Sequence, residues 1–251
     1  MAPSCALEEA GAGVVVLLLC AGENRFNPAV VAEMHAQLDA VERRAGPCAL
    51  VIAGGDKFFS NGHDVAWLEA AAKRGGTGAG SEAALYITSF YALLRRLMTL
   101  PVVTVACVTG HAFAGGCLLS AACDFRVMRA DRGFLCLNEI DMALAVSEAE
   151  QRASHVQPGA FEGADAAMAA VLQAKYSSLQ VRDLLLGGTR FTGATALQCG
   201  LVDEAVAGDS AVVLAAAVKL AERFAPRGVP RNRCTVGVLK REMLAGASPR
   251  L

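Results

Sequence analysis

Two short segments of this chain combine turn-forming glycines with small residues directly after apolar runs. The first covers residues 58–64 (FFSNGHD) and follows the apolar run 48–53 (CALVIA). Gly62 permits a tight turn, because glycine adopts backbone conformations that other residues avoid. A turn of this kind leaves backbone N–H groups pointing at a ligand, which is the geometry needed to stabilise an oxyanion. The alternative is an ordinary loop between a strand and a helix.

The second segment covers residues 110–119 (GHAFAGGCLL) and follows another apolar run, 102–108. Gly115 and Gly116 open a helix made of small residues. The first N–H groups of a helix have no intrahelical acceptor and carry a partial positive charge, so they stabilise a developing anion. The alternative is close packing of this helix on a sheet.

The elements that must position these segments follow from hydrophobic periodicity and turn signals. Apolar runs alternate with helical patterns, which predicts parallel strands joined by right-handed crossovers. Strands are predicted at 14–20, 48–53, 102–108, 125–128 and 134–137, helices at 29–44, 81–98 and 114–122, loops at 54–64 and 73–80, and mostly helix thereafter.

Composition excludes several classes of function. The 251 residues are 54% hydrophobic with a mean hydropathy of +0.41 and a net charge of -1, which predicts a large core and no nucleic-acid partner. The apolar run 11–21 is too short to cross a bilayer, so no membrane association is expected. The nine cysteines form no C-x-x-C pair, so we expect reduced thiols and no metal site; Cys20, Cys107, Cys117 and Cys123 are expected to be buried.

Together the two segments resemble the signature of the crotonase (enoyl-CoA hydratase/isomerase) superfamily. The matching stretches are FSNGHD at 59–64, AGGCLLSAACDFR at 114–126, GENRFNP at 22–28 and LLLGGTRFTGATALQCGLVDEAV at 184–206. The resemblance implies an α/β fold, with a crotonase (ClpP-like) ββα spiral core over residues 1–191 that carries the CoA-thioester site. It also implies a helical C-terminal trimerisation region over 192–251, and hence a homotrimer or hexamer.

The same resemblance assigns roles to individual residues. The thioester oxygen would lie between the backbone N–H groups of Asn61 and Gly115, which form the oxyanion hole. The substrate-binding residues would be Ser60, Asn61, Gly62, His63, Asp64, Gly115 and Leu118. No cofactor is implied, because CoA enters as part of the acyl-CoA thioester substrate. His63 is expected to line the pocket, and His111 to pack at a strand end.

Two positions separate the reactions of the superfamily. Hydratases use two glutamates, and the first of these positions is Leu118 in this chain. The second is Glu139, in an L-N-E segment similar to that of Δ3,Δ2-enoyl-CoA isomerases, and FSNGHDVAW resembles the plant peroxisomal members. One carboxylate suffices to move a double bond, by taking a proton from C2 and returning one to C4. We therefore expect Glu139 to be the catalytic acid/base, with a pKa raised by the dry pocket around Leu118; Asp141, Glu148 and Glu150 are its rivals.

The resemblance implies an isomerase that converts 3-enoyl-CoA to trans-2-enoyl-CoA in the oxidation of unsaturated fatty acids. The alternatives are an enoyl-CoA hydratase, another crotonase-type acyl-CoA reaction, or a weakly active CoA-thioester binding protein. The polar segment 145–170 departs from the family pattern and motivates the last of these.

The chain ends in Pro249, Arg250 and Leu251, which resembles a peroxisomal import tripeptide. We therefore expect a peroxisomal import receptor as a partner and the peroxisome as the location.

Overall fold

The computed structural model describes residues 3–76, 78, 80–138 and 164–244. Its larger sheet has six strands in the order β1-β2-β3-β5-β7-β9, antiparallel between β1 and β2 and parallel elsewhere. The strands are β1 (Cys5–Glu9), β2 (Val14–Leu19), β3 (Ala49–Ala53), β5 (Val103–Val108), β7 (Phe125–Arg129) and β9 (Glu204–Val206).

A smaller sheet carries the two glycine-containing segments. It contains β4 (Phe58–Ser60), β6 (His111–Phe113) and β8 (Leu135–Cys136), all parallel, with β6 in the middle. Because the carboxyl ends of β4 and β6 lie side by side, the residues that follow these two strands are brought together.

The helices cover both faces of the larger sheet. Asn27 and Ser81 cap α1 and α3 by accepting the backbone N–H three residues on, as their residue types predict. The bounds are α1 (Pro28–Glu42), α2 (Val65–Gly75), α3 (Glu82–Thr99), α4 (Gly115–Ala122), α5 (Ala164–Lys175), α6 (Ser178–Leu185), α7 (Gly193–Gln198), α8 (Ser210–Glu222) and α9 (Pro230–Met243).

Strand β3 lies between two apolar clusters, which explains why all five of its residues are buried. Leu50 and Ile52 face the main core formed with α1, α3 and α4. Val51 and its alternate neighbours face a second cluster, formed with Val213 and Ala217 of α8. A strand buried on both faces reads as a continuous apolar run, and this is the pattern that the sequence shows.

The C-terminal helices are tied to the rest of the chain by hydrogen bonds as well as by apolar contacts. Lys240 of α9 donates to the carbonyl of Val102 at 2.7 Å and pairs with Asp124 at 2.5 Å. Arg233 donates to the carbonyl of Glu42 at 2.8 Å. The division of the chain at residues 191 and 192 stays a prediction.

The α/β class and the parallel strands of the larger sheet are confirmed, and the long predicted elements agree with the structure to within one or two residues. The predicted loop 54–64 contains strand β4, and β1, β6, α2 and β9 were not predicted. The predicted burial of Cys20 is wrong, because β2 ends at Leu19 and Cys20 is exposed; Cys107, Cys117 and Cys123 are buried as expected. Within the described ranges, no helix is long and apolar enough to span a bilayer.

Candidate active site

The two glycine-containing segments meet at Gly62 and Gly115. Gly62 has a φ of +74°, and a Cβ atom there would lie 2.9 Å from the Cβ of Ala114 and 3.2 Å from the backbone nitrogen of Gly115. Any larger residue would therefore clash with the start of α4 and cover the Gly115 N–H group. This contact joins the segments that the sequence singled out.

The turn before α4 is strained. Ala114 has φ 49° and ψ −120°, a conformation that is unfavourable for any residue with a Cβ. Its N–H donates to the carbonyl of Cys136 in β8 at 3.0 Å, which holds the turn in place. The strain places Gly115 at the first position of the helix.

The N–H group of Gly115 has no acceptor among the residues that the structure describes. The residue is buried, and the ring atoms of Phe90, His63 and Phe26 lie 3.2–3.4 Å from the point where its Cβ would be. A free donor at a helix N-terminus within an apolar and aromatic wall is suited to stabilising an oxyanion, because electrostatic interactions are stronger where water is excluded.

The N–H group of Asn61 is occupied. It donates to the carbonyl oxygen of Glu23 at 2.9 Å, and the Asn61 side chain donates to the Glu23 carboxylate, also at 2.9 Å. Hydrogen bonds from Asn61 and Arg25 hold the pKa of the Glu23 carboxyl below its usual value. In this structure, then, the donor assigned to the oxyanion hole by resemblance already has an acceptor, and the role of Asn61 stays a prediction.

Ser60 positions the loop. It is fully buried; its hydroxyl donates to the carbonyl of Asn24 at 2.7 Å and accepts from the N–H of Gly62 at 3.2 Å. A Cβ at Gly116 would overlap the Ser60 carbonyl oxygen, so α4 begins directly against β4. The Ser60 hydroxyl is therefore engaged within the protein, and the substrate-binding role that the resemblance assigns to Ser60 stays a prediction.

Asn24 and Tyr86 belong to the site but were not identified from the sequence. Asn24 is buried with a φ of +52°, and its side chain donates to the carbonyls of Phe58 and Phe59 and accepts from the N–H of Ala21. An asparagine between charged residues in a turn is a signal for this conformation, because its side chain satisfies backbone groups locally.

His63 lies on the wall of the site, next to Gly115. Its Nδ1 atom is 2.6 Å from the Tyr86 hydroxyl, which donates to the carbonyl of Phe26 at 2.7 Å. Burial lowers the pKa of His63 to about 4, so the imidazole is neutral at pH 7. Asp64, the next residue, caps α2 by accepting from the N–H of Trp67 at 3.1 Å.

The positions that distinguish reactions within the superfamily are only partly described. Leu118 of α4 is 1% exposed and belongs to the main core. Glu139 lies outside the described residues, as do Asp141, Glu148 and Glu150. Asn138, immediately before Glu139, has a buried side-chain oxygen for which the described residues supply no hydrogen-bond donor.

His111 packs in an aromatic cluster away from Gly115. Its ring stacks on Phe113 with centroids 5.0 Å apart, and Phe58 and Phe134 complete the cluster. Burial, with nearby Arg132, Lys57 and Arg190, lowers its pKa. No group of His, Cys, Asp and Glu side chains suitable for a metal ion occurs in the described part of the chain.

The sequence of this chain is similar to those of known enzymes. The family model for enoyl-CoA hydratase/isomerase matches residues 9–247. An enoyl-CoA delta isomerase 2, peroxisomal, of Arabidopsis thaliana is 33% identical over 89% of this chain and 85% of its own. The enoyl-CoA delta isomerase 3 of the same plant is 32% identical over the same shares.

Solved structures agree on the fold. A probable enoyl-CoA hydratase of Mycobacterium tuberculosis superposes with a TM-score of 0.75 at 22% identity, over 98% of this chain and 91% of that one. A second structure of the same protein, described there as an enoyl-CoA isomerase, superposes with a TM-score of 0.69 at 22% identity, over the whole of both chains. The fold is thus the crotonase fold, and the chain belongs to the enoyl-CoA hydratase/isomerase family.

Proposed function

We propose that the protein is a Δ3,Δ2-enoyl-CoA isomerase, which converts 3-enoyl-CoA thioesters to trans-2-enoyl-CoA. The observation that carries this proposal is the buried, apolar Leu118 on α4, at the position where hydratases of the family place one of two glutamates. The similarity to the plant delta isomerases supports the same reaction.

The reaction needs an anion stabiliser and one base. The thioester oxygen accepts a hydrogen bond from the free N–H of Gly115, and Glu139 removes a proton from C2. The negative charge moves to the oxygen as the enolate forms, so this donor stabilises the transition state more than the ground state. Glu139 then returns the proton to C4. Hydration would require a second group to activate water, and Leu118 has no acid or base function.

Two assays on the same preparation test the proposal. Incubation with a 3-enoyl-CoA should produce the ultraviolet absorbance of the conjugated thioester, whereas a trans-2-enoyl-CoA should not lose that absorbance at a comparable rate. Hydration without isomerisation would contradict the proposal and would identify the protein as a hydratase. Saturable thioester binding without either reaction would favour a binding protein.

We also propose import into peroxisomes through Pro249, Arg250 and Leu251. Two of the plant relatives, delta isomerases 1 and 2, carry the word peroxisomal in their names, and delta isomerase 3 does not. A fluorescent protein extended by the last ten residues of this chain should colocalise with a peroxisomal marker. The same fusion without Leu251 is the matched control. A diffuse signal from both fusions would contradict peroxisomal import through these residues.

A homotrimer is proposed on the basis of the family and of the apolar surface of α9. Val238, Leu239 and Met243 are 40%, 58% and 81% exposed, which is unusual for three large apolar side chains on one helix. Light scattering at micromolar concentration should give three times the chain mass of 26.0 kDa or a multiple of it, and a monomer would contradict the assignment.

A further inference from the structure

The backbone N–H group of His63 is free, like that of Gly115. Neither has an acceptor among the residues that the structure describes, whereas the N–H of Asn61 donates to the Glu23 carbonyl. The His63 nitrogen is bonded to Gly62, the residue that meets the start of α4 beside the Gly115 nitrogen. Both free donors therefore lie where the two glycine-containing segments meet, and one oxyanion can accept from both.

The direction of the His63 N–H group depends on a pairing that is only one residue wide. Phe26 and His63 form an isolated parallel bridge. Phe26 makes both of its hydrogen bonds, donating to the carbonyl of Gly62 and accepting from the N–H of Asp64, each at 2.8 Å. In this pattern the residue opposite turns its own N–H away from its partner. A bridge of one residue fixes that direction only if a further contact prevents His63 from tilting.

Tyr86 of α3 supplies such a contact, because it joins the two members of the bridge. Its hydroxyl lies 2.7 Å from the carbonyl oxygen of Phe26 and 2.6 Å from the Nδ1 atom of His63. Two oxygens at that distance need a proton between them, and a tyrosine hydroxyl has only one. The hydroxyl therefore donates to Phe26, and Nδ1 of His63 carries a proton and donates to the Tyr86 oxygen.

Burial keeps this pair of side chains uncharged. It lowers the pKa of His63 to about 4, so the ring is neutral at pH 7 and its one N–H proton is on Nδ1. It also raises the pKa of the Tyr86 hydroxyl, which therefore keeps its proton. The ring of His63 stands edge-on to those of Tyr86 and Phe90, with centroids 5.6 and 4.6 Å away, so packing supports the same orientation.

We propose that Tyr86 is a positioning residue for the oxyanion site: its hydroxyl, bound to the Phe26 carbonyl and to the His63 ring, holds the backbone N–H of His63 in the direction that serves the thioester oxygen. This assignment rests on the proposed function, since it concerns the enolate of that reaction. Tyr86 acts through His63 and needs no contact with the substrate. The enolate depends on the placement of its donors more than the neutral thioester does, because the charge on the oxygen develops only as the enolate forms.

Acetoacetyl-CoA tests this inference independently of isomerisation. Its enolate has the charge of the proposed intermediate and its own near-ultraviolet absorbance, and it has no double bond for the protein to move. The wild-type protein should bind the enolate preferentially. Tyr86→Phe removes only the hydroxyl and should weaken enolate binding about tenfold, less than the about 10²-fold scale for loss of a whole donor, and binding of a saturated acyl-CoA less than about twofold.

Tyr176→Phe is the matched control. It also removes the hydroxyl of a buried tyrosine, which donates to the carbonyl of Leu201 at 3.4 Å and makes no contact with His63. This variant should bind the enolate like the wild-type protein.

Two variants of His63 test the same hydrogen bond from its other end. Asparagine places an amide N–H close to the position of Nδ1, and leucine has nearly the same shape without a donor, while both keep the backbone N–H. His63→Asn should therefore bind the enolate about tenfold more tightly than His63→Leu. Adding Tyr86→Phe to the leucine variant should change enolate binding little, because the hydroxyl then has no ring to hold. Residues that act independently would give additive losses.

Circular dichroism checks that each variant is folded, and the two His63 variants serve if Tyr86→Phe is not. Equal losses of enolate and saturated acyl-CoA binding in Tyr86→Phe would overturn the inference, as would no loss of either or additive losses in the double variant. A wild-type protein without preference for the enolate would also overturn it. Enolate binding that depends on Tyr86, without turnover of 3-enoyl-CoA, would reject the proposed function alone.

Discussion

Asn61 is held by Glu23 through two hydrogen bonds, one from its backbone N–H to the Glu23 carbonyl and one from its side chain to the Glu23 carboxylate, each 2.9 Å long. The residue before Gly62 is thereby attached to the 22–28 loop. The position of the loop in turn depends on Asn24, whose side chain holds it against β4.

Asn24→Ala is expected to lower the free energy of unfolding by about 2–3 kcal/mol. The variant leaves the buried carbonyls of Phe58 and Phe59 without this donor and places alanine at a φ of +52°. Urea denaturation measures the change. Asn61→Ala, which removes a half-buried amide, is the control and should cost less than about 1 kcal/mol; equal losses would contradict the role of Asn24.

Ala114→Gly is expected to raise the free energy of unfolding by about 1 kcal/mol. The relief of the unfavourable φ 49°, ψ −120° conformation exceeds the extra chain entropy that glycine loses on folding. Ala122→Gly, at the other end of α4, should destabilise by about 1 kcal/mol because its backbone is helical. The prediction fails if both substitutions destabilise.

Glu139→Gln is expected to lower kcat by about 10²–10⁴-fold while thioester binding is retained, because the amide cannot accept the C2 proton. Turnover of 3-enoyl-CoA measures the first quantity and isothermal titration with a saturated acyl-CoA the second. Glu148→Gln is the control and should be close to wild type. If Glu148→Gln lost activity and Glu139→Gln did not, the catalytic base would be Glu148.

Leu118→Glu is expected to add a small hydratase activity by supplying a second carboxylate. Since Leu118 is 1% exposed, the substitution should also lower the free energy of unfolding by several kcal/mol, and the new carboxyl should have a raised pKa. Hydration of trans-2-enoyl-CoA is compared with that of Leu118→Gln, which matches the shape without the acid. No gain in the folded variant would show that this position alone does not separate the two reactions.

Stability should depend on pH through His63. Its pKa is about 4 in the folded chain and about 6.5 in the unfolded chain, so between these values the unfolded chain binds a proton that the folded chain does not. The free energy of unfolding therefore falls as the pH falls, by about 2 kcal/mol from pH 7 to pH 5 for this group. His63→Phe should remove that part of the dependence, and parallel stability profiles of the two proteins would contradict the shift.

The sequence predicts the site better than it predicts the strands that carry it. The glycines of the two segments were identified because turn chemistry and helix N-termini depend on local residue types, and Gly62 and Gly115 do meet. Strands β4 and β6 have three residues each, which is too short for alternation to be detected. The bond between Asn61 and Glu23 joins residues far apart in the chain, and no local pattern reports it.

The contact between Gly62 and Gly115 also has a consequence for folding. The site exists only when β4 and β6 are paired, and this pairing closes a loop of the chain that includes α2, α3 and β5. Contacts of such long sequence separation form late, because the entropy of loop closure must be lost before they stabilise the chain. A partly folded chain would thus contain most of its helices before it could bind a thioester, and recovery of binding should lag behind recovery of helical circular dichroism on refolding.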